Sequence, residues 1–266
     1  MQRTHKEFLI NLIKLLRIFE WADKLQLSFI SAFILISFLP NPECYLVQIL
    51  ILGIYMLFLG SYGYVANSYG DKEQDAKVGK HPEVQFFSDR EIKAILILLA
   101  ILSLSIPLYF PDLKIRLLGI ITFLLVTFYS IRPVRLKERG IWGILTAALT
   151  QRPLPFLLFV FLVPVHNPFI SYFLIGWLSL IGIAVILSHQ LFDYENDVKA
   201  GVETWVTNIG KKKAKQVVKG VVILMILYVL TPIFALPLYQ GLTITIVTLA
   251  FTGHSIGYSI DALRRA

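Results

Sequence analysis

Long runs of apolar residues follow one another along almost the whole chain, separated by short polar segments. Most runs have about 18 or more residues, enough for an α-helix to cross roughly 30 Å of hydrocarbon. They lack the alternation of barrel strands, and only helices or closed barrels satisfy backbone polar groups in lipid. The pattern therefore predicts an all-α bundle. The predicted spans cover about residues 25–39, 45–66, 92–110, 114–131, 141–163, 169–191, 216–236 and 239–260.

Composition and charge predict the orientation of this bundle. Of the 266 residues, 56% are hydrophobic, and 25 Lys and Arg stand against 17 Asp and Glu. The cations fall in alternate loops, with five in residues 67–93, four in 132–139 and six in 199–219. By the positive-inside rule, both termini and these three loops are predicted to be cytoplasmic, in a plasma or inner membrane. The basic excess therefore indicates topology and contact with membrane lipids, with no nucleic acid as partner.

Polar residues between the runs indicate where a span begins and which sites the chain can hold. Ser88 and Glu91 have capping-box spacing just before an apolar run and predict the start of the third span. Cys44 is the one cysteine, which excludes an intrachain disulfide and a cysteine-based zinc site. A single transmembrane domain, residues 1–266, is expected to enclose a central cavity with a cytoplasmic cap.

Two groups of oxygen-bearing residues stand at cytoplasmic helix ends. Asn67, Asp71 and Asp75 follow the second span, and Asp193 and Asp197 follow the sixth. Spacing of four residues places each group on one helix face. Carboxylates about 5 Å apart repel by roughly 3 kcal/mol at an effective dielectric near 20, so two facing groups would need cations. All-oxygen ligands favour Mg²⁺ shared with substrate phosphates; the alternative is a pair of ordinary solvated helix ends.

A short internal repeat links the two acidic groups. Asp75-Ala-Lys-Val-Gly79 is followed later by Asp197-Val-Lys-Ala-Gly201. Two halves that each supply one functional helix end would suit a pseudo-symmetric bundle.

Three stretches resemble motifs of the UbiA superfamily of intramembrane prenyltransferases. Residues 67–75 (Asn-Ser-Tyr-Gly-Asp-Lys-Glu-Gln-Asp) resemble its first motif, Asn-Asp-x-x-Asp-x-x-x-Asp. Residues 193–197 (Asp-Tyr-Glu-Asn-Asp) are similar to its second, Asp-x-x-x-Asp. Residues 129–137 (Tyr-Ser-Ile-Arg-Pro-Val-Arg-Leu-Lys) resemble the Tyr-Ser-x-x-Pro-x-Arg-x-Lys stretch between them. The resemblance covers roughly residues 10 to 260.

This resemblance implies Mg²⁺-dependent transfer of an isoprenyl chain from a prenyl diphosphate to a lipophilic or aromatic acceptor. The implied metal ligands are Asn67, Asp71, Asp75, Asp193 and Asp197. Asp71, Asp193, Tyr129 and Lys137 are the expected catalytic residues. An expected substrate-binding set comprises Asn67, Lys77, Arg132, Arg135 and Lys199, although a basic inside loop is also expected from topology alone.

Two further residues are candidates for substrate binding. Arg152 falls near the middle of the fifth span beside Pro153 and Pro155, which predict a broken helix. A charge there costs about 2.5–3.5 kcal/mol on the insertion scale, so a substrate or a structural partner is expected. His189 lies one turn before Asp193.

The sequence departs from the resembled family at two points. Ser68 stands where the family usually has Asp, but it lies about 100° around the helix from Asn67, so the metal face need not be lost. On that ground Ser68→Asp is expected to be tolerated. The family usually has nine spans and this chain eight, or nine if two short helices are merged in the count.

The sequence is also compatible with two other functions. Terpene cyclisation, an intramolecular variant of the same chemistry, needs no acceptor. A secondary transporter would also suit an intramembrane arginine and a proline-broken helix, but its binding residues should lie at the membrane midplane.

Overall fold

The computed structural model describes residues 4–79, 83–164 and 167–265, and every regular element in these ranges is helical, as predicted. The first part of the chain forms α1 (His5–Leu16), α2 (Ile18–Ile36), α3 (Leu46–Gly70), α4 (Lys72–Val78), α5 (Glu83–Phe86), α6 (Asp89–Tyr109) and α7 (Leu113–Ser130). The second part forms α8 (Ile141–Gln151), α9 (Pro153–Leu162), α10 (Pro168–Phe192), α11 (Tyr194–Ala200), α12 (Trp205–Ile209), α13 (Lys211–Val229), α14 (Thr231–Ala235) and α15 (Leu238–Arg265). Short 3₁₀ turns lie at Pro42–Tyr45 and Leu136–Glu138.

Several of these helices can cross a membrane by length and composition. Within the described ranges, five segments qualify: Pro42–Gly70, Asp89–Tyr109, Leu113–Ser130, Pro168–Phe192 and Lys211–Ala235. The pair α8 and α9, bent by 42°, would make a sixth, and these six match predicted spans two to seven. The apolar stretch of α2, Leu25–Ile36, is short, and polar residues interrupt α15. The count of eight or nine spans, the single domain, the central cavity and the cytoplasmic cap therefore stay predictions.

Two local predictions from the sequence are confirmed, the start of α6 and the break in the fifth span. Ser88 caps α6, with its hydroxyl accepting from the Glu91 N–H and the Glu91 carboxylate accepting from the Ser88 N–H. The break in the fifth span falls on Arg152, and Pro153 takes the first position of α9, where a missing N–H is tolerated. The Ser28 hydroxyl of α2 donates to the Arg152 carbonyl at 3.0 Å and helps to satisfy the broken backbone.

The chain folds as two successive parts with matching elements. Helices α3 and α10 have 25 residues each, and each runs into an aspartate, Asp71 or Asp193. A seven-residue helix follows in both parts and ends at a left-handed glycine, Gly79 with φ 69° or Gly201 with φ 67°. Each feature lies 122 residues after its counterpart (193 against 71, 201 against 79, and 211 against 89 for the next long helix). The short sequence repeat therefore marks a structural repeat of the helix–aspartate–helix unit.

Hydrogen bonds through the apolar interior fix the neighbours of α3 and α10. The Tyr55 hydroxyl donates to the Gly119 carbonyl at 3.0 Å and joins α3 to α7. The Trp177 indole N–H donates to the Thr252 hydroxyl at 2.9 Å and joins α10 to α15. Such bonds are strengthened by the low dielectric of their surroundings. At the ends of α3 and α10, the short helices α4 and α11 contact each other, so both acidic groups lie on the same side of the bundle.

The contact between α4 and α11 makes the predicted topology testable. Single cysteines at Gln74→Cys and Glu195→Cys, each in a Cys44→Ser background, should react with a membrane-impermeant thiol reagent only from the cytoplasmic side. The wild-type Cys44, which is exposed in the turn before α3, is the matched control and should react only from the opposite side. Labelling of residues 74 and 195 from different sides would be incompatible with a shared site.

Candidate active site

The helical register continues through both aspartates, although α3 and α10 each end there. The Asp71 N–H donates to the Asn67 carbonyl at 3.0 Å, and the Asp75 N–H donates to the Asp71 carbonyl at 2.8 Å. In the second part, the Asp193 N–H donates to the His189 carbonyl at 3.0 Å, and the Asp197 N–H donates to the Asp193 carbonyl at 2.8 Å. The four-residue hydrogen bonds keep each acidic group in helical spacing across the break, as the sequence predicts.

Asp71 is the centre of a buried charge cluster. Its carboxylate accepts from Arg135 Nη2 at 2.7 Å and also from the Lys137 ammonium. Lys137 Nζ in addition donates to Asn67 Oδ1 at 3.0 Å, so one ammonium bridges the first two members of the motif. The exposed fractions of the three charged side chains are 14% for Asp71, 4% for Arg135 and 12% for Lys137. Four residues that the sequence singled out are thus brought together.

The turn between α7 and α8 presents the two cations. Arg135 adopts left-handed backbone angles, φ 42° and ψ 61°, which cost roughly 1–2 kcal/mol for a residue with a β-carbon. The conformation is held from several sides: Arg135 Nη1 donates to the Gly70 carbonyl at 2.8 Å, and Arg135 Nε pairs with Glu138 at 2.6 Å. Burial lowers the pKa of Lys137 from its ordinary value, and the Asp71 carboxylate acts against that shift. The turn therefore holds its cations in place before any substrate binds.

Sequence reasoning missed three contributors to this cluster. The Ser130 hydroxyl donates to Asn67 Oδ1 at 3.1 Å, Glu138 pairs with Arg135, and the Gly70 carbonyl accepts from Arg135. Ser130 lies within the 129–137 stretch and Glu138 directly follows it, so this stretch could have identified both residues. The contribution of Gly70 could not be predicted from its residue type, because it comes from the backbone carbonyl.

The second acidic group lies on the same side of the bundle as the first. Asp193 is 27% exposed and lies 3.6 Å from His189 Nε2, while His189 itself is 61% exposed. Tyr129, in the last turn of α7, is partly buried and packs against an apolar cluster that includes Leu187 and Leu191 near the end of α10. The contact between α4 and α11 brings the helices that follow the two acidic helix ends together.

The remaining predicted site residues form no hydrogen bond or ion pair with Asp71 in the described part of the structure, or their side chains lie outside it. Arg132 and Lys199 are exposed, and Arg152 is buried at the break between α8 and α9. No hydrogen bond or ion pair between described residues joins these three to Asp71. The side chain of Lys77 lies outside the described part of the structure. The roles of these four residues, and of His189, stay predictions.

Ser68 is fully buried, and its hydroxyl has no hydrogen-bond partner among the described residues. An aspartate there would place a charge in the interior without a described partner. The expectation that Ser68→Asp is tolerated is therefore replaced by an expected loss of stability.

The donor atoms suit a hard divalent cation. Asn67, Asp71, Asp75, Asp193 and Asp197 offer only oxygen, the ligand atom that Mg²⁺ prefers, and they lie on two helix ends whose continuations are in contact. In the described ranges no three His, Cys, Asp or Glu side chains converge closely enough to hold a metal ion by themselves. The residues fit a Mg²⁺ ion that takes part of its coordination from substrate oxygens and water, as is usual for this ion.

Fold and site together define a multi-pass helical membrane protein with paired acidic helix ends and a cationic turn. Residues 27–266 match the profile of the UbiA prenyltransferase family, and the chain belongs to that family.

Solved structures with a similar fold have low sequence identity. A UbiA homologue from Archaeoglobus fulgidus bound to DMAPP and Mg²⁺ is 16% identical, with a TM-score of 0.70 over 96% of this chain and 100% of that one. A UbiA homologue from Archaeoglobus fulgidus bound to GPP and Mg²⁺ is 16% identical, with a TM-score of 0.71 over 96% of this chain and 99% of that one. A digeranylgeranylglyceryl phosphate synthase is 17% identical, with a TM-score of 0.64 over 96% of each chain. No curated protein sequence matches the chain. At such identities the likeness concerns the fold.

The different burial of the two acidic groups predicts different effects on stability. Asp71→Ala should lower the free energy of unfolding by roughly 2–3 kcal/mol, somewhat less than for a fully buried pair, because the Lys137 ammonium loses its carboxylate partner while Arg135 keeps Glu138. Asp193→Ala should cost less, since Asp193 is more exposed. Thermal unfolding of the purified variants measures both. A larger loss for Asp193→Ala than for Asp71→Ala would contradict the described cluster.

Proposed function

We propose that this protein is a Mg²⁺-dependent prenyltransferase that moves an isoprenyl chain from a prenyl diphosphate to a lipophilic or aromatic acceptor. The observation that carries the proposal is the cluster of Arg135 and Lys137 on Asp71, beside a helix that contacts the second acidic helix. A bound Mg²⁺-diphosphate requires cationic side chains and metal-binding carboxylates, and both kinds of residue lie at this end of the bundle.

The cations of the 131–139 turn bind the diphosphate. Arg135 offers a planar fork of donors that matches phosphate oxygens, and Lys137 adds a point charge. Asp71 and Glu138 hold these side chains in position, so little reorganisation is needed when the substrate arrives. Asn67, Asp71, Asp75, Asp193 and Asp197 would hold Mg²⁺, which would supply further positive charge to the leaving diphosphate.

The reaction breaks one bond and forms another. The allylic C–O bond of the prenyl diphosphate breaks, and its electron pair leaves with the diphosphate oxygen, whose charge Arg135 and Lys137 stabilise. The acceptor's electron-rich carbon or oxygen forms a bond to the allylic carbon, and the acceptor passes a proton to the released diphosphate or to water. In this proposal Tyr129, which precedes the cationic turn at the end of α7, contacts the departing diphosphate or the cationic carbon.

The position of the charges favours a transferase over a transporter. The acidic groups and the cationic turn lie at helix ends on one side of the bundle, whereas a transporter would place its binding residues at the midplane. Family membership supports the same choice. We place the site on the cytoplasmic side, from the distribution of Lys and Arg.

Activity should depend on both acidic groups and on the metal. With labelled geranylgeranyl or farnesyl diphosphate and a membrane-lipid or quinone-precursor acceptor, the purified protein should release pyrophosphate in the presence of Mg²⁺ and not after chelation. Asp71→Ala and Asp193→Ala should each lower the rate roughly 10²–10³-fold, because each removes a ligand of the Mg²⁺ that would stabilise the leaving diphosphate. Product analysis with and without membrane-lipid or quinone-precursor acceptors separates transfer from cyclisation.

Asp112→Ala is the matched control for these variants. Asp112 is exposed, and it caps the first turn of α7, at the opposite end of that helix from Tyr129, by accepting from the Lys114 N–H at 2.7 Å. Its removal should leave the rate per folded molecule unchanged. Metal-independent release, or a double variant Asp71→Ala/Asp193→Ala as active as the wild type, would reject the proposed chemistry.

A further inference from the structure

Glycines from two helices enclose the turn that carries Arg135 and Lys137. Gly143, in the first turn of α8, is buried, and a β-carbon built on it would lie 2.9 Å from Lys137 Cα and from the Leu136 and Lys137 carbonyl oxygens. Gly70, the last residue of α3, faces the turn from the other side. A β-carbon there would lie 2.8 Å from the Ser130 carbonyl oxygen and 3.4 Å from Arg135 Nη1. Real β-carbons essentially never come within 3.0 Å, so these approaches require glycine.

The contacts at Gly143 are to backbone, which cannot rotate away as a side chain would. The Leu136–Glu138 turn rests directly on the first turn of α8, and any residue larger than glycine would lift the turn. Lys137 then reaches from this backbone to Asn67 and Asp71 with its ammonium. The position of that ammonium is therefore determined by how closely α8 approaches the turn.

We propose that Gly143 and Gly70 are positioning residues: their missing β-carbons set the placement of Lys137 and Arg135 over Asp71. The kinetic consequence rests on the proposed function, because it assumes that these cations bind the diphosphate. The structural consequence does not, since it concerns only the contacts of Lys137 in the protein without substrate. The sequence motifs assign no part to either glycine's missing side chain.

The first measurement is independent of the reaction. In the intact protein, Lys137 is 12% exposed and held by two partners, so an amine-reactive reagent should modify it slowly. In Gly143→Ala the lifted turn should break the contact with Asp71, and modification of Lys137, followed by mass spectrometry, should rise several-fold. Gly220→Ala is the control: Gly220 is exposed on α13, and a β-carbon added there would meet nothing within 4 Å, so Lys137 reactivity should stay at the wild-type value.

The second measurement concerns catalysis. Because displacements of about 1 Å cost up to roughly 10²-fold in rate, Gly143→Ala should lower kcat/KM for the prenyl diphosphate by about 10–100-fold. Gly241→Ala serves as a packing control, since its β-carbon would lie 2.5 Å from the Pro232 carbonyl oxygen, far along α15 from the site. It should lose stability while kcat and KM per folded molecule stay unchanged.

Non-additivity distinguishes positioning from general damage. If Gly143 acts through Lys137, then Gly143→Ala should cause no further loss of activity in a Lys137→Met background. Gly70→Ala provides the second variant if Gly143→Ala does not fold, and it should show the same dependence on Arg135.

Unchanged Lys137 reactivity in folded Gly143→Ala would overturn the inference, as would a fully additive loss in the Lys137→Met background. An equal fall in kcat/KM for Gly241→Ala would also overturn it. If the wild type released no pyrophosphate but Lys137 reactivity changed as expected, the proposed function would fail and the positioning role would stand.

Discussion

The close pairing of Asp71 with Arg135 and Lys137 is the interaction on which the arrangement of the site depends. Two cations are taken largely out of water, which is unfavourable unless a carboxylate and polar groups compensate for the lost hydration. Asp71, Asn67 and the Gly70 carbonyl provide that compensation from the end of α3. In return, the cations hold the end of α3 against the turn between α7 and α8. The ion cluster thus joins elements that are far apart in sequence and prepares a place for an anion.

The structural repeat explains both the symmetry and the asymmetry of the site. Each part of the chain delivers one helix–aspartate–helix unit, and the short helices α4 and α11 meet. The cationic turn between α7 and α8 is not repeated: the positions 122 residues after Arg135 and Lys137 are Gly257 and Ser259, inside α15. A diphosphate bound between the two units would therefore meet both cations from one side. The two acidic groups are similar in backbone geometry and different in their electrostatic surroundings.

Much of this could be predicted from sequence because it depends on local patterns. The apolar runs of α3, α6, α7 and α10, the Ser88 cap and the break at Arg152 all follow from spacing or from proline chemistry. The spacing of the aspartates and the 129–137 stretch identified the residues of the cluster. The pairing of Asp71 with Arg135 and Lys137 could not be predicted from the sequence, because it joins residues about 65 positions apart through tertiary packing. The buried position of Ser68 and the close approach of Gly143 to Lys137 likewise depend on which helices are neighbours.

The central claim is that both acidic helix ends and the cationic turn act on one diphosphate. Titration calorimetry of the purified protein with inorganic pyrophosphate tests it without an acceptor or a prenyl chain. The account predicts binding in the presence of Mg²⁺, and weaker binding by about tenfold or more, at least 1.4 kcal/mol, in both Lys137→Met and Asp193→Ala. Pyrophosphate affinity that is the same with and without Mg²⁺, or that neither substitution changes, would contradict the account.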